Sequence, residues 1–308
     1  MDFDLSEDQA VLLSALDSIM APYRDIAAQD RLSFSVYASA LDEQLVENGF
    51  FEAARTEGMG PLDAALIIEQ VARLPHVTEI GASMLVAPML GLDLPRPFVL
   101  LSQPLDKAQR FLPVARTGLL DTGDEILVIA IDQDQVEDVN SIYGYPYGRF
   151  TTLPDLSQAR RLGPEAVVAF RTWAQVALAA EMSGAIRAAV DFTVAYVKDR
   201  RLFGRQLGTY QSVHHRLAEC DQIARGAFWL TMKAAWSGSR IDASLAACYT
   251  QQHVRKLMFD LHQFNGAMGL TTEHLLHFWT FRVRALQSEL GGQNGAALEA
   301  AQQAWGGG

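Results

Sequence analysis

Apolar positions recur at helical spacing over most of this chain and give way to a strand-like run only near its middle. Ser6-Glu7-Asp8-Gln9 reads as a capping box: the serine side chain bonds the N–H three residues on, and Gln9 reaches back. Val11, Leu12, Ala15, Leu16 and Ile19 follow at steps of three and four. The same periodicity predicts helices over about 34–48, 61–74 and 77–91, with Gly49, Gly58 and Gly60 as breaks. From Leu92 the character changes. Six of the eleven prolines lie between Pro95 and Pro154. EILVIAID, Glu125 to Asp132, predicts a strand. Short strands and turns should follow through Tyr143–Leu153. A stretch this long without structure would be unusual in a compact protein, which favours a small β domain over a linker.

Helix dominates again from Ser157. A pattern with few breakers runs from Pro164 to Arg200, and further helices are predicted over about 209–238 and 241–266. After a turn at Gly266–Thr271, another runs from near Thr272 to about Leu290. Gly291 to Gly308 predicts a short helix ending in a loose tail. Four long antiparallel helices with short loops form a bundle. The expected fold is mostly α with a small β part: a helical domain over 1–91, a reduced β domain over 92–158 and a helical bundle over 159–308.

Composition narrows the function classes. The chain has 308 residues, half of them apolar and a fifth charged, enough for a large core. A net charge of −11 argues against nucleic acid and anionic membranes as partners. The acidic start MDFDLSEDQ lacks the basic region of a signal peptide, and no apolar run is long enough to span a membrane. Cys220 and Cys248 have no metal-like spacing and read as reduced thiols of a cytoplasmic protein, so no metal site is expected.

The segment YVKDRRLFGRQLGTYQSVHHRLAEC, Tyr196 to Cys220, carries an Arg-x-x-Phe-Gly turn between two helices. Arg200 and Arg201 offer forked donors to an anion, and Gly204 permits a backbone conformation closed to other residues. Together with MDFDLSEDQAVLLSALDSIM, LVENGFFEAARTEGMGPLDAALIIEQVARL and QFNGAMGLTTEHLLHFWTFRVRALQSELGG, this segment resembles the acyl-CoA dehydrogenase family of flavoproteins. The resemblance covers most of the chain except its middle. It implies α,β-dehydrogenation of an acyl-CoA thioester with FAD as cofactor and an electron-transfer flavoprotein as electron acceptor. It also implies that Arg200, Phe203, Gln211, Gln263 and Gly266 contact the pyrophosphate and adenine half of an FAD held mainly by a neighbouring subunit. Ala267 departs from the family's usual glycine. Taken singly, Arg200 also fits a cation at a helix C-terminus, Gln263 an ordinary polar position and Phe203 a core residue. His214 and His215 are adjacent and so should not face one another, which points to packing or solvation.

The resemblance also implies a catalytic base, and here the chain departs from it. The family's Glu-Gly-Thr turn would fall at Leu290-Gly291-Gly292, with Glu289 out of register. The second family location for the base aligns with Ala174. The Thr-Glu-Pro…Gly-Ser-Asp and Trp-x-Thr-Asn segments, which cover the flavin ring in the family, are missing. The expectation is therefore a chain with no catalytic residue of its own. It would be the FAD-completing half of a heteromeric enzyme, α2β2, acting on a steroid or bile-acid side-chain CoA ester. A homologous partner subunit would supply the carboxylate and hold most of the acyl-CoA. Two alternatives stay open. A homomeric dehydrogenase could use Glu181 or Glu289 as base, although Glu181 is expected to pair with an arginine such as Arg187 and Glu289 to be solvated. A flavin-free scaffold could keep the fold as an interaction surface.

Overall fold

The computed structural model describes residues 5–306, so the first four and last two residues, on which parts of the readings at the two ends fall, lie outside it. Helix α1 (Glu7–Met20) opens on the expected capping box: Gln9 N–H donates to Ser6 Oγ at 3.1 Å and Ser6 N–H to Gln9 Oε1 at 3.1 Å. Its buried residues are Leu16 and Met20, whereas Val11 points to solvent. Helix α2 (Ser39–Glu47) is shorter than its predicted span, because Tyr37 is drawn into a bridge with Val77. Helix α3 (Pro61–Ala72) starts at a proline, where the missing N–H costs nothing.

The helix predicted over 77–91 is replaced by something more irregular. Thr78–Ile80 is not helical; a π turn runs over Ala82–Val86 and one α turn, α4, over Ala87–Met89. Two residues explain this. Glu79 accepts from the N–H groups of Ala82 (2.8 Å) and Ser83 (3.2 Å), which caps the helix late. Pro88 has no N–H to continue an α ladder, and the wider π turn precedes it.

The middle of the chain is β. Strands β1 (Phe98–Leu101), β3 (Thr117–Asp121), β4 (Ile126–Ala130) and β7 (Arg160–Leu162) make one sheet in the order β1-β3-β4-β7, parallel between β1 and β3 and antiparallel elsewhere. Strands β2 (Gln109–Arg110), β5 (Val136–Val139) and β6 (Tyr147–Phe150) make a second, in the order β2-β6-β5. The predicted run Glu125–Asp132 is β4. Periodicity missed β7, a short charged piece that only its pairing with β4 reveals.

Helix α5 (Pro164–Asp199) is the axis of the molecule. Every residue from Thr172 to Ile186 is buried, since the helix packs against α3, α6 (Gln211–Ser237), α7 (Arg240–Gln252), α8 (Val254–Asn265) and α9 (Leu276–Leu286). The single helix predicted over 241–266 is two, divided at His253. The helix predicted from Thr272 to Leu290 begins at Leu276 and ends at Leu286. A turn over Glu289–Gly291 with Leu290 at φ 52° then leads into α10 (Gly292–Trp305), the helix expected here, which packs on α7 and takes up all but Gly291 and the last three residues of the stretch. The three parts are tied by specific bonds. Arg171 of α5 grips Asp121 of β3 at 2.6 and 3.0 Å. Buried Arg282 of α9 donates to the carbonyls of Leu74 (2.6 Å) and Ala72 (3.3 Å), and Trp279 Nε1 to that of Arg73 (2.9 Å).

Candidate functional site

The corner between α5 and α6 holds the first site. Arg200 leaves the helix in an extended conformation, and β8 (Arg201–Leu202) and β9 (Arg205–Gln206) pair as a miniature hairpin. Its two-residue turn is Phe203-Gly204, at φ 49° and 83°. Positive φ at both positions is what a tight hairpin of matching twist needs. Glycine adopts it freely, whereas Phe203 is held there with its ring 94% exposed. Tyr210 braces the hairpin from behind: its hydroxyl donates to the Leu202 carbonyl at 2.9 Å and its ring lies 3.9 Å beneath the Arg205 guanidinium.

Behind this hairpin lies an open cleft of about 460 Å³. Arg200, Gln263 and Gly266 line it together, although sixty residues separate the first from the others in sequence order, roughly. Phe203 and Gln211, read from sequence with them, do not line the cleft. Phe203 projects from the hairpin tip, and Gln211 is exposed at the first residue of α6. Tyr196, Ser212, Arg216 and Asn265 line it without having been singled out. Ser212 and Arg216 are four residues apart and share a face of α6, which Gln211, five residues before Arg216, does not share, so helical spacing from Gln211 does not lead to Arg216.

The far wall is the end of α8. Gly266 sits at φ 58°, ψ −143°, a conformation essentially reserved for glycine, and space is not the constraint, because an added Cβ would meet nothing within 4 Å. Buried Asn265 sets this turn: its Nδ2 donates to Thr193 Oγ1 at 2.9 Å and to the Leu261 carbonyl at 2.8 Å, while its Oδ1 lies 2.7 Å from His274 Nε2. Since Nδ2 is the donor, His274 presents Nε2–H, and burial keeps that ring neutral by pushing its pKa down. Arg216 pairs with Asp260 and lies over the Phe264 ring at 4.9 Å. Two guanidiniums, a carboxamide, a glycine turn and the amino end of the 27-residue helix α6 make a donor set suited to a pyrophosphate.

A second set of residues surrounds Arg110. Glu181 does not pair with Arg187, which is taken by Asp191 and Asp221. Its Oε2 accepts from Arg110 Nη1 at 2.8 Å and from the Tyr145 hydroxyl at 3.3 Å. Glu289 is not free in solvent: its two oxygens accept from Arg110 Nε and Nη2 at 2.8 and 3.0 Å. Arg110 comes from β2, outside every segment that drew attention in the sequence, so the pairing was not visible there. Burial pushes the Glu181 carboxyl up, against the pull of Arg110. Burial opposes the charge on Arg110, but Glu181 and Glu289 outweigh it and the guanidinium holds its proton. Burial pushes neighbouring Glu79 up to about 7, against its bonds from Ser83 and Ala82, with Glu181 adding to the rise. The space among these groups is about 20 Å³, room for one water. Ala174, at the second family location for the base, lines the same space.

The histidines read as packing or solvation are exposed: His214 and His215 lie with rings 6.1 Å apart. Cys220 and Cys248 are free thiols. Among the described residues no group of three or more metal-binding side chains occurs, and no helix is long and apolar enough to cross a membrane.

Residues 163–304 match the family described as "Acyl-CoA dehydrogenase, C-terminal domain". Over that span, the bundle from α5 to α10, the chain is similar to acyl-CoA dehydrogenases. The structure extends the likeness in fold to the rest. The ChsE4–ChsE5 complex of Mycobacterium tuberculosis superposes with a TM-score of 0.79 at 17% identity, covering 99% of each chain. The Tcur3481–Tcur3483 steroid acyl-CoA dehydrogenase, crystallised as a variant, does so with 0.79 at 19%, covering 98% of each. Among sequences, the acyl-CoA dehydrogenase IpdE2 of Mycolicibacterium smegmatis is 24% identical over 246 residues, 74% of either protein. The acyl-CoA dehydrogenase fold is therefore present in full, middle sheets included.

Proposed function

We propose that this chain is the FAD-completing subunit of a heteromeric acyl-CoA dehydrogenase. It grips the pyrophosphate and adenine end of a flavin whose ring, and whose catalytic carboxylate, belong to a homologous partner. The observation that carries the reading is the cleft at the α5–α6 corner, where Arg200, Gln263 and Gly266 converge with Arg216 and the amino end of α6. Phe203 and Gln211 stand outside the cleft and exposed, where a partner-held cofactor would meet them. A dianionic pyrophosphate satisfies both guanidiniums and the amide donors. FAD supplies hydride acceptance; this chain's part is to hold its phosphate end in register.

Glu181 and Glu289 support the same division of labour from the other side. A base must be free to take a proton from the carbon next to the thioester. Both carboxylates are instead committed to Arg110. This weighs against a homomeric enzyme using either residue. The donor set of the cleft weighs against a flavin-free scaffold.

The α2β2 assembly, a steroid or bile-acid side-chain CoA ester as substrate, an electron-transfer flavoprotein as acceptor and a cytoplasmic location complete the proposal. The likeness in fold to the ChsE4–ChsE5 complex supports an assembly of unlike subunits, and that to the Tcur3481–Tcur3483 steroid acyl-CoA dehydrogenase supports a steroid substrate. The test is the flavin content of the co-purified complex with Arg200→Ala in this chain alone. Losing a charge-assisted bond worth about 1.5–3 kcal/mol should weaken FAD binding roughly tenfold or more. Unchanged flavin content in the assembled variant contradicts the proposal.

A further inference from the structure

We propose that Arg110 is a plug: its side chain fills an apolar slot that would otherwise continue a large surface cleft and accept the acyl chain of a CoA thioester. The inference rests on the reading of this chain as a non-catalytic subunit and adds which residue keeps its own pocket shut. Two cavities meet at this arginine. On the outer side is a cleft of about 920 Å³ between the first sheet, the N-terminal part of α5 and α10. On the inner side is the remnant of about 20 Å³. Leu100, Arg110, Glu289 and Leu290 line both, so the two spaces are one passage interrupted at the guanidinium.

The walls beyond the interruption do not suit the group that fills it. Ala82, Phe98, Val99, Ala174, Ala177 and Leu178 make most of the slot apolar, with the carboxyls of Glu79 and Glu181 as its polar exceptions. An arginine with two carboxylates in such surroundings loses hydration that the ion pairs only partly return. An alkyl chain in the same place would be matched by the six apolar walls. The charge arrangement also explains why the plug stays. Arg110 is clamped from α5 by Glu181 and from the α9–α10 turn by Glu289, while the Tyr145 hydroxyl donates to the same oxygen of Glu181. Moving the guanidinium out would strand both carboxylates at once. The cleft outside, by contrast, is lined by as many carboxylates as guanidiniums: Asp121, Glu289 and Glu299 against Arg110, Arg171 and Arg240. It has no net charge to repel an acyl-CoA, so closure rests on the plug.

The experiment counts bound decyl-CoA, a thioether that cannot be oxidised, in the co-purified complex by native mass spectrometry. The wild-type complex should bind one per pair of unlike subunits, in the partner. The variant R110A/E181Q removes the plug without leaving Glu181 as an unpaired charge, and should bind two, with flavin content unchanged. Two bound per pair in the wild type, or one in the assembled variant, overturns the proposal. Should the double variant not assemble, Arg110→Gln, which shortens the side chain by its guanidinium, carries the same count with the same two outcomes. The subunit reading fails on a separate signal, a second flavin per pair in the wild type, so the two failures are told apart.

Discussion

The middle of α5 and its C-terminal cap are built on opposite principles. Near its C-terminus the helix delivers Arg200 to an open cleft lined also by Gln263, Gly266 and Arg216, the last already paired with Asp260. Nineteen residues earlier, about 28 Å along the axis, it delivers Glu181 to a closed cluster whose charges already answer one another. The open end is assembled from glycine turns and exposed side chains; the closed end from ion pairs that join β2, α5 and the α9–α10 turn. The difference teaches that one fold can hold an open cleft lined by donors and, on the same helix, a polar cluster satisfied internally. A polar group poised for a partner costs stability that a self-paired group does not, so an open cleft lined by donors marks function more clearly than a closed, buried ion-pair cluster.

Breaking the closed end should have the largest effect. Arg110→Ala alone leaves Glu181 buried without a partner cation and should destabilise the chain by about 3–5 kcal/mol, read by denaturant unfolding. A loss below ~1 kcal/mol would mean that the cluster is not a structural clamp. The open end should respond differently. Gly266→Ala forces a residue with a side chain into φ 58°, ψ −143°, at a strain of about 1–3 kcal/mol. Relaxation of that turn should reduce flavin in the complex more than it lowers the melting temperature. Equal losses of both would erase the distinction between the two ends.

Glu79 gives the smallest and most specific test. Its carboxyl titrates near 7 in the folded chain, above the ordinary 4.5. Between those values the folded state keeps a proton that the unfolded chain releases, so this residue's contribution is fully present below pH 4.5 and is lost as the pH rises towards 7. Glu79→Gln should therefore remove part of the fall in stability across that window while leaving stability at pH 4 nearly unchanged. A variant whose pH profile runs parallel to the wild type would show that Glu79 is charged throughout.

Much of the architecture was legible because it rests on local signals. The capping box at Ser6, the glycine breaks and the long apolar pattern of α5 are properties of neighbouring residues. What was not legible is held by contacts between distant ones. The late start of the helix after Glu79 depends on a carboxylate folding back to cap it, and β7 exists through β4. At the site, the turn at Arg200 and the glycine at 266 were readable as a motif. Arg216 and Asn265 belong to the cleft through three-dimensional placement alone. The partner of Glu181 was assigned to the wrong arginine for the same reason. Arg187 is near in sequence, and Arg110, 71 residues away, is near in space.

The central claim is that this chain holds one end of a cofactor and performs no dehydrogenation alone. The measurement that meets it directly is the flavin absorbance and acyl-CoA oxidation of the purified chain, beside those of the complex with its partner subunit. The account predicts a colourless, inactive single chain and a yellow, active complex. A single chain that carries FAD and oxidises an acyl-CoA would contradict it.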